Sequence, residues 1–173
     1  MFIRSKKILF LKSSKIFLTF LIIIVFTISE NLKAENITGS QTYDTDTNNT
    51  QYIFTEDDAS AVVTGNTTLE RSRKLFILDD SERTGNTLTI HFGSTVSTTT
   101  NSNTIFTDGA DLTIVNSGTI NSDSSKAINV SKSDGVSITN NSTGVIKSNN
   151  NTILGDAGTG AVTVSYTHLT LPT

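Results

Sequence analysis

The chain has 173 residues with 13 Lys and Arg against 16 Asp and Glu, and it contains no Cys. The near-neutral total hides a split: residues 35–163 hold seven basic and fifteen acidic side chains, a net −8, while the leader carries much of the positive charge. A basic nucleic-acid footprint is therefore excluded, as are a disulfide framework and a thiolate metal site.

In chain order, the first element is a targeting segment. Arg4, Lys6, Lys7, Lys12 and Lys15 form a long basic region, followed by the apolar run Ile16–Ile28 (IFLTFLIIIVFTI) and by Leu32-Lys33-Ala34. Charge, greasy segment and small residue is the order of a signal peptide. We therefore expect a signal-peptide helix over 1–34, cleaved between Ala34 and Glu35, with the Sec export machinery as its partner. A transmembrane anchor is the competing reading, but the run of 13 residues falls short of the roughly 20 that a spanning helix needs.

Residues 35–84 are less regular. Thr45–Gln51 reads as loop, whereas Tyr52–Phe54 and Ala61–Val63 read as strands. A solenoid needs a cap over its open end, and this stretch is the candidate. Leu69–Glu82, charged at both ends around Leu75–Leu78, reads as an atypical first coil or a side excursion.

From Gly85 onward a repeat governs the sequence. Gly85-Asn-Thr-Leu-Thr-Ile90 is followed by Gly109-Ala-Asp-Leu-Thr-Ile114, then by Gly135-Val-Ser-Ile-Thr and Gly160-Ala-Val-Thr, at intervals of 24, 26 and 25 residues. Two further phases keep the same register: Asn116-Ser-Gly118-Thr-Ile120 with Asn141-Ser-Thr-Gly144-Val-Ile146, and Ile105, Ile128 and Ile153. Within each copy, apolar and polar residues alternate and β-branched residues dominate, the pattern of half-buried strands. Gly, Asn, Asp and Ser between them suit the left-handed corners of tight turns.

Three short strands per cycle of 24–26 residues fit coils of a parallel β-helix over 85–163, an all-β fold. The repeat predicts inward stacks of Ile90 on Ile114 on Ile138, Val96 on Ile120 on Ile146, and Ile105 on Ile128 on Ile153. It also places Asn116 and Asn140 or Asn141 at one corner, where amides can bond along the axis. A β-propeller is the structural competitor, but its blades need about 40 residues and four strands.

Val164–Thr173 (VSYTHLTLPT) changes composition, with the chain's only Pro and one of its two His. It resembles the translation of a transposase adapter used in sequencing libraries. On that resemblance 164–173 is not native sequence, Tyr166 and His168 carry no function, and the natural protein continues beyond the residues given.

The pattern L-T-I-x-N-x-G-x-I … A-I at Leu112–Ile128, repeated with drift at Val136–Ile153, resembles the passenger domain of autotransporters, the type V secreted proteins of Gram-negative bacteria. The long basic leader is similar to the extended signals some of them carry. The resemblance implies export to the cell surface or outer membrane, and an outer-membrane β-barrel as a further partner in C-terminal sequence that is missing here. The motif is loose and shared with other secreted β-solenoids.

The residues offer little chemistry. With His168 set aside, His91 is the only His, expected outward or at a corner. Asp44-Thr-Asp46-Thr-Asn48 begins like a calcium loop, but Asn49 and Thr55 occupy the positions that demand Gly and Glu. Asp57-Asp58 and Asp79-Asp80 read as solvated turns. No catalytic, cofactor or metal residue is assigned, and the residues name no surface ligand. The leading expectation is a non-enzymatic adhesive or structural passenger; a secreted β-helix polysaccharide lyase or glycosidase and a stand-alone structural solenoid are the alternatives.

Overall fold

Alternation sets the local structure. In Leu112–Asn116 the side chains of Leu112, Ile114 and Asn116 are buried while Thr113 is exposed, as expected when successive side chains point to opposite faces of a strand. The computed structural model describes residues 33–78, 82–108, 111–131, 133, 135–155 and 163–166. The chain divides between Lys33 and Ala34 into two units, and the described residues belong almost wholly to the second.

The strands come in threes. A first coil holds β1 (Lys33–Ile37), β2 (Ser40–Tyr43) and β3 (Thr47–Asn48), and a second holds β4 (Thr50–Phe54), β5 (Ser60–Val63) and β6 (Thr68–Arg71). The third has β7 (Phe76–Leu78), β8 (Asn86–Ile90) and β9 (Thr95–Thr98); the fourth has β10 (Ile105–Thr107), β11 (Leu112–Asn116) and β12 (Thr119–Ser122). Then follow β13 (Ile128–Asn129), β14 (Ser137–Asn140), β15 (Val145–Ser148), β16 (Ile153–Leu154) and β17 (Thr163–Tyr166). Among the described residues there is no helix.

Each strand pairs with its counterpart one coil away. The first sheet runs β1-β4-β7-β10-β13-β16, the second β2-β5-β8-β11-β14-β17 and the third β3-β6-β9-β12-β15. The pairing is parallel in every sheet. The fold is a parallel β-solenoid, and its three sheets face one shared interior.

Columns of inward side chains fill that interior. In the first sheet Tyr52, Phe76, Ile105, Ile128 and Ile153 stack. In the third, Leu69, Val96, Ile120 and Ile146 do so. In the second the column is Ala61, Leu88, Ile114, Ile138 and Val164. Most of these are wholly buried, and Ile146, Ile153 and Val164 pack against them partly exposed. Burying one such side chain contributes about 1.5–3 kcal/mol, realised only when a neighbouring coil covers it.

One predicted stack is wrong by two residues. Ile114 pairs with Leu88, and Ile90 pairs with Asn116. A slip of one residue would turn the apolar set outward, whereas a slip of two leaves every side chain on the same face, so alternation cannot detect it. The corner residues set the true register. Gly135, at φ +80°, leaves its Cβ position to the carboxylate of Asp111, and Gly85, at φ +72°, does the same for Asp58. Asp111 is therefore the counterpart of Gly85, and the match of Gly85 to Gly109 is two residues out of phase. Gly109 and Gly160 lie outside the described residues.

The stretch 35–84, expected as an irregular cap and an atypical first coil, is more regular in structure than in sequence. That stretch already contributes strands to all three ladders. Thr47–Asn48, expected as loop, is a strand paired with Leu69–Glu70. These strands escaped notice because SQTY and TN carry no apolar alternation, and because the pitch is short: Gln41 pairs with Ala61 and Thr47 with Leu69, 20 and 22 residues on.

Aromatic rings fill the interior where the first coil offers few aliphatic side chains. Tyr43 meets Tyr52 edge-on at 4.6 Å between centroids, and Tyr52 stacks on Phe76 at 5.1 Å. The hydroxyls are satisfied: Tyr43 donates to Gln41 Oε1 at 2.6 Å, and Tyr52 shares a hydrogen bond with Thr47 Oγ1 at 2.7 Å.

Candidate functional site

Three corners join the sheets, and the one between the third and first sheets gathers the most distinctive chemistry. Its loops are Ser72–Leu75, after β6, and Thr99–Thr104, after β9. The coil between them is the longest, since Phe76 pairs with Ile105, 29 residues on. The two loops, of four and six residues, border an open cleft of about 620 Å³. Ser72, Arg73 and Lys74 line it from one loop, Thr100, Asn101 and Ser102 from the next, and Gln51 of β4 completes the lining.

The cleft is held by hydrogen bonds. The Lys74 carbonyl accepts from Arg71 Nη1 at 2.7 Å and from Gln51 Nε2 at 3.2 Å. Thr100 Oγ1 donates to the Ser72 carbonyl, tying one loop to the other. The Ser102 carbonyl accepts from Thr98 Oγ1 at 2.9 Å and Ser122 Oγ at 3.0 Å. These carbonyls have no partner within a strand, and the side-chain donors satisfy them.

Its electrostatics are unusual for so acidic a domain. Arg71 ends β6 pointing inward and is only 5% exposed. Burial, and then the neighbouring Arg73 charge, pushes its guanidinium below the ordinary arginine value. Lys74 Nζ lies 3.2 Å from the centre of the Phe106 ring, a cation–π contact that holds the ammonium in place. Among the described residues the recorded ion pair joins Arg83 to Asp57, at 3.9 Å. Among the described residues no carboxylate forms an ion pair with Arg71, Arg73 or Lys74. Three cations in four consecutive residues are plain in the sequence, yet only the coil geometry brings Arg73 and Lys74 beside the amide and hydroxyl groups of the following loop.

The other predicted residues are dispersed. No protein family, curated protein or solved structure matches the chain. Geometry must therefore place each of them. His91 is exposed at the corner between the second and third sheets, its Nδ1 3.1 Å from Thr64 Oγ1. Asp46 accepts the backbone N–H of Thr68 at 2.6 Å, and Asp44 takes the hydroxyl of Thr45. Asp57 and Asp58 sit in the turn before β5, Asp57 accepting the Thr84 N–H at 3.2 Å. The carboxylates of Asp46 and Asp57 thus serve backbone turns. Among the described residues no group of three His, Cys, Asp or Glu could hold a metal ion.

Ala34 and Glu35, the expected cleavage point, lie within β1. Residues 1–32, Asp79-Asp80, His168 and Pro172 are outside the described residues. Thr163–Tyr166 form β17 and pair with β14, Val164 against Ile138 and Tyr166 against Asn140. The Asn corner is where the sequence placed it: Asn116 and Asn140 are register partners at the end of the second sheet.

Proposed function

We propose that the chain is part of an exported, non-enzymatic surface protein, an autotransporter-like passenger whose solenoid acts as an adhesive or structural stalk. The observation that carries this reading is the coil architecture itself. Three parallel ladders with mostly short corners make a rod that lengthens by adding coils, each stabilised by the one beside it. Such a rod suits presentation of loops at a distance from a membrane.

Three further features support it. The basic leader and apolar run at Met1–Ala34 have the order of a signal peptide. The absence of Cys lets an unfolded chain cross an oxidising periplasm without cross-linking. The carboxylates of Asp57 and Asp46 accept backbone N–H groups, the role of structural turn residues.

The test is the complete reading frame, read from long DNA molecules. The expected result is further coils followed by a C-terminal barrel of amphipathic strands. A stop codon soon after Thr163 with no barrel would sink the autotransporter reading, while leaving the solenoid intact.

A further inference from the structure

We infer that the cleft between the Ser72–Leu75 and Thr99–Thr104 loops is a binding site for an acidic saccharide, gripping a carboxylate or sulfate group with Arg73 and Lys74. The inference rests on the cleft's geometry and not on the export reading; it gives a ligand class to a surface that the export reading leaves blank.

Both cations border the cleft, Lys74 held over the Phe106 ring of the next coil. Arg73 is exposed, and neither it nor Lys74 meets a carboxylate among the described residues. Both belong to a loop whose Lys74 carbonyl is bonded twice and whose Ser72 carbonyl is tied to Thr100. Their backbones are therefore fixed before any ligand arrives, which lowers the ordering cost of binding. Arg71 lies beneath the loop, nine-tenths buried, its Nη1 donating to the Lys74 carbonyl. It does not line the cleft. A charge so poorly hydrated is weakly screened, so it raises the positive potential at the loop above it.

The neutral lining selects among anions. Gln51 and Asn101 bring amides, and Thr100 and Ser102 bring hydroxyls, groups that pair with sugar hydroxyls. A fully charged surface such as a lipid headgroup layer would leave these without a role. The volume of about 620 Å³ is within the range of small-molecule sites, and its open side lets a polymer continue past it. The rest of the domain is acidic, which repels a polyanion elsewhere and confines it to this corner.

The experiment uses the purified full chain and measures binding of dextran sulfate, polygalacturonate and neutral dextran at several salt concentrations. Binding of either acidic polymer, weakening as salt rises, with none to neutral dextran, is the expected result; which acidic polymer binds names the oxyanion. The double variant Arg73→Gln/Lys74→Gln should bind about tenfold more weakly. Lys147→Gln, an exposed charge in β15, should bind as the wild type does, and both variants should melt within a few degrees of it. Equal loss in Lys147→Gln would show a general charge effect and overturn the site. So would unchanged binding in the double variant, or equal binding of neutral dextran. None of these outcomes touches the export reading, which stands or falls on the reading frame.

Discussion

Asn116 Nδ2 donates to Asn140 Oδ1 at 2.8 Å, one coil to the next, at a position that one coil earlier is the wholly buried Ile90. The column that begins as Tyr43, Val63 and Ile90 thus turns from apolar to amide midway along the rod. The exchange is tolerated because each amide closes its own corner. Asn116 Oδ1 accepts the Gly118 N–H at 3.2 Å, and Asn140 Nδ2 donates to the Gly144 carbonyl at 2.8 Å. A polar group at such depth is stable only when it is fully bonded.

Replacing Asn116 therefore tests whether the ladder stabilises or merely fits. Asn116→Ala removes the bonds to Asn140, Gly118 and Val145 and leaves the buried Gly118 N–H unpaired, at a cost of about 1–3 kcal/mol. Asn116→Ile restores the apolar character of the column below but not the corner bonds. Urea unfolding should place both variants below wild type. An Asn116→Ile protein as stable as the wild type would mean that the amide contributes only polarity.

The two-residue register can be read chemically, because the chain has no Cys of its own. Thr89 and Val115 are partners on the outer face of the second sheet. Thr89→Cys with Val115→Cys should oxidise readily to a disulfide, since paired strands bring Cα atoms within the range of about 4.4–6.8 Å that the bond accepts. Thr89→Cys with Thr113→Cys, the pair implied by stacking Ile90 on Ile114, should remain reduced under the same conditions. Gel mobility without reductant distinguishes them, and cross-linking of the second pair alone would restore the register expected from sequence.

What could be read in advance divides along physical lines. The three phases at Ile90, Ile105 and Ile120 disclosed parallel coils with three strands each, because inward β-branched residues recur wherever coils must cover one another. Ile105, Ile128 and Ile153 stack as read, as do Val96, Ile120 and Ile146. Ile90 failed because parity alone cannot tell a slip of two from none. The strands at Ser40–Tyr43 and Thr47–Asn48 were missed because their identity comes from the coil above, not from their own side chains. The cleft was half visible: Arg71, Arg73 and Lys74 are adjacent, but Thr100–Ser102 lie about a full coil away, and only pairing between coils unites them.

Gly118 marks a close backbone approach at the corner between the second and third sheets. A Cβ there would run into the carbonyls of Ser94 and His91 and sit 2.8 Å from Ile90 Cγ2. Both carbonyls are held by hydrogen bonds: Thr119 N–H donates to Ser94 at 2.9 Å, and Ser94 N–H donates to His91 at 3.1 Å. Gly118→Ala should therefore destabilise by about 1–3 kcal/mol, as overpacking does, despite adding a single methyl. At Gly39, where nothing lies within 4 Å of the added carbon, only the positive φ of 57° opposes substitution, and Gly39→Ala should cost about 1 kcal/mol. Thermal melts of the two variants provide the comparison, and equal melting temperatures would remove close packing as the cause.

Alkali should loosen the aromatic end of the rod before the rest. Burial, then the Glu35 and Tyr52 charges, drives the Tyr43 phenol far above its ordinary value, and burial raises Tyr52 as well. A phenol raised in the folded state keeps its proton there while the unfolded chain loses one near pH 10. The stabilisation is thus fully present below pH 10 and declines as pH climbs past it, by as much as about 1.4 kcal/mol per pH unit for each tyrosine until the folded value is reached. Tyr43→Phe gives up the hydrogen bond to Gln41 and should be slightly less stable than wild type at pH 8. Between pH 10 and 11.5 its stability should fall less steeply, since one shifted phenol is gone while the lysines titrate identically in both proteins. Parallel slopes for Tyr43→Phe and wild type in urea unfolding across that range would show that the Tyr43 hydroxyl is open to water.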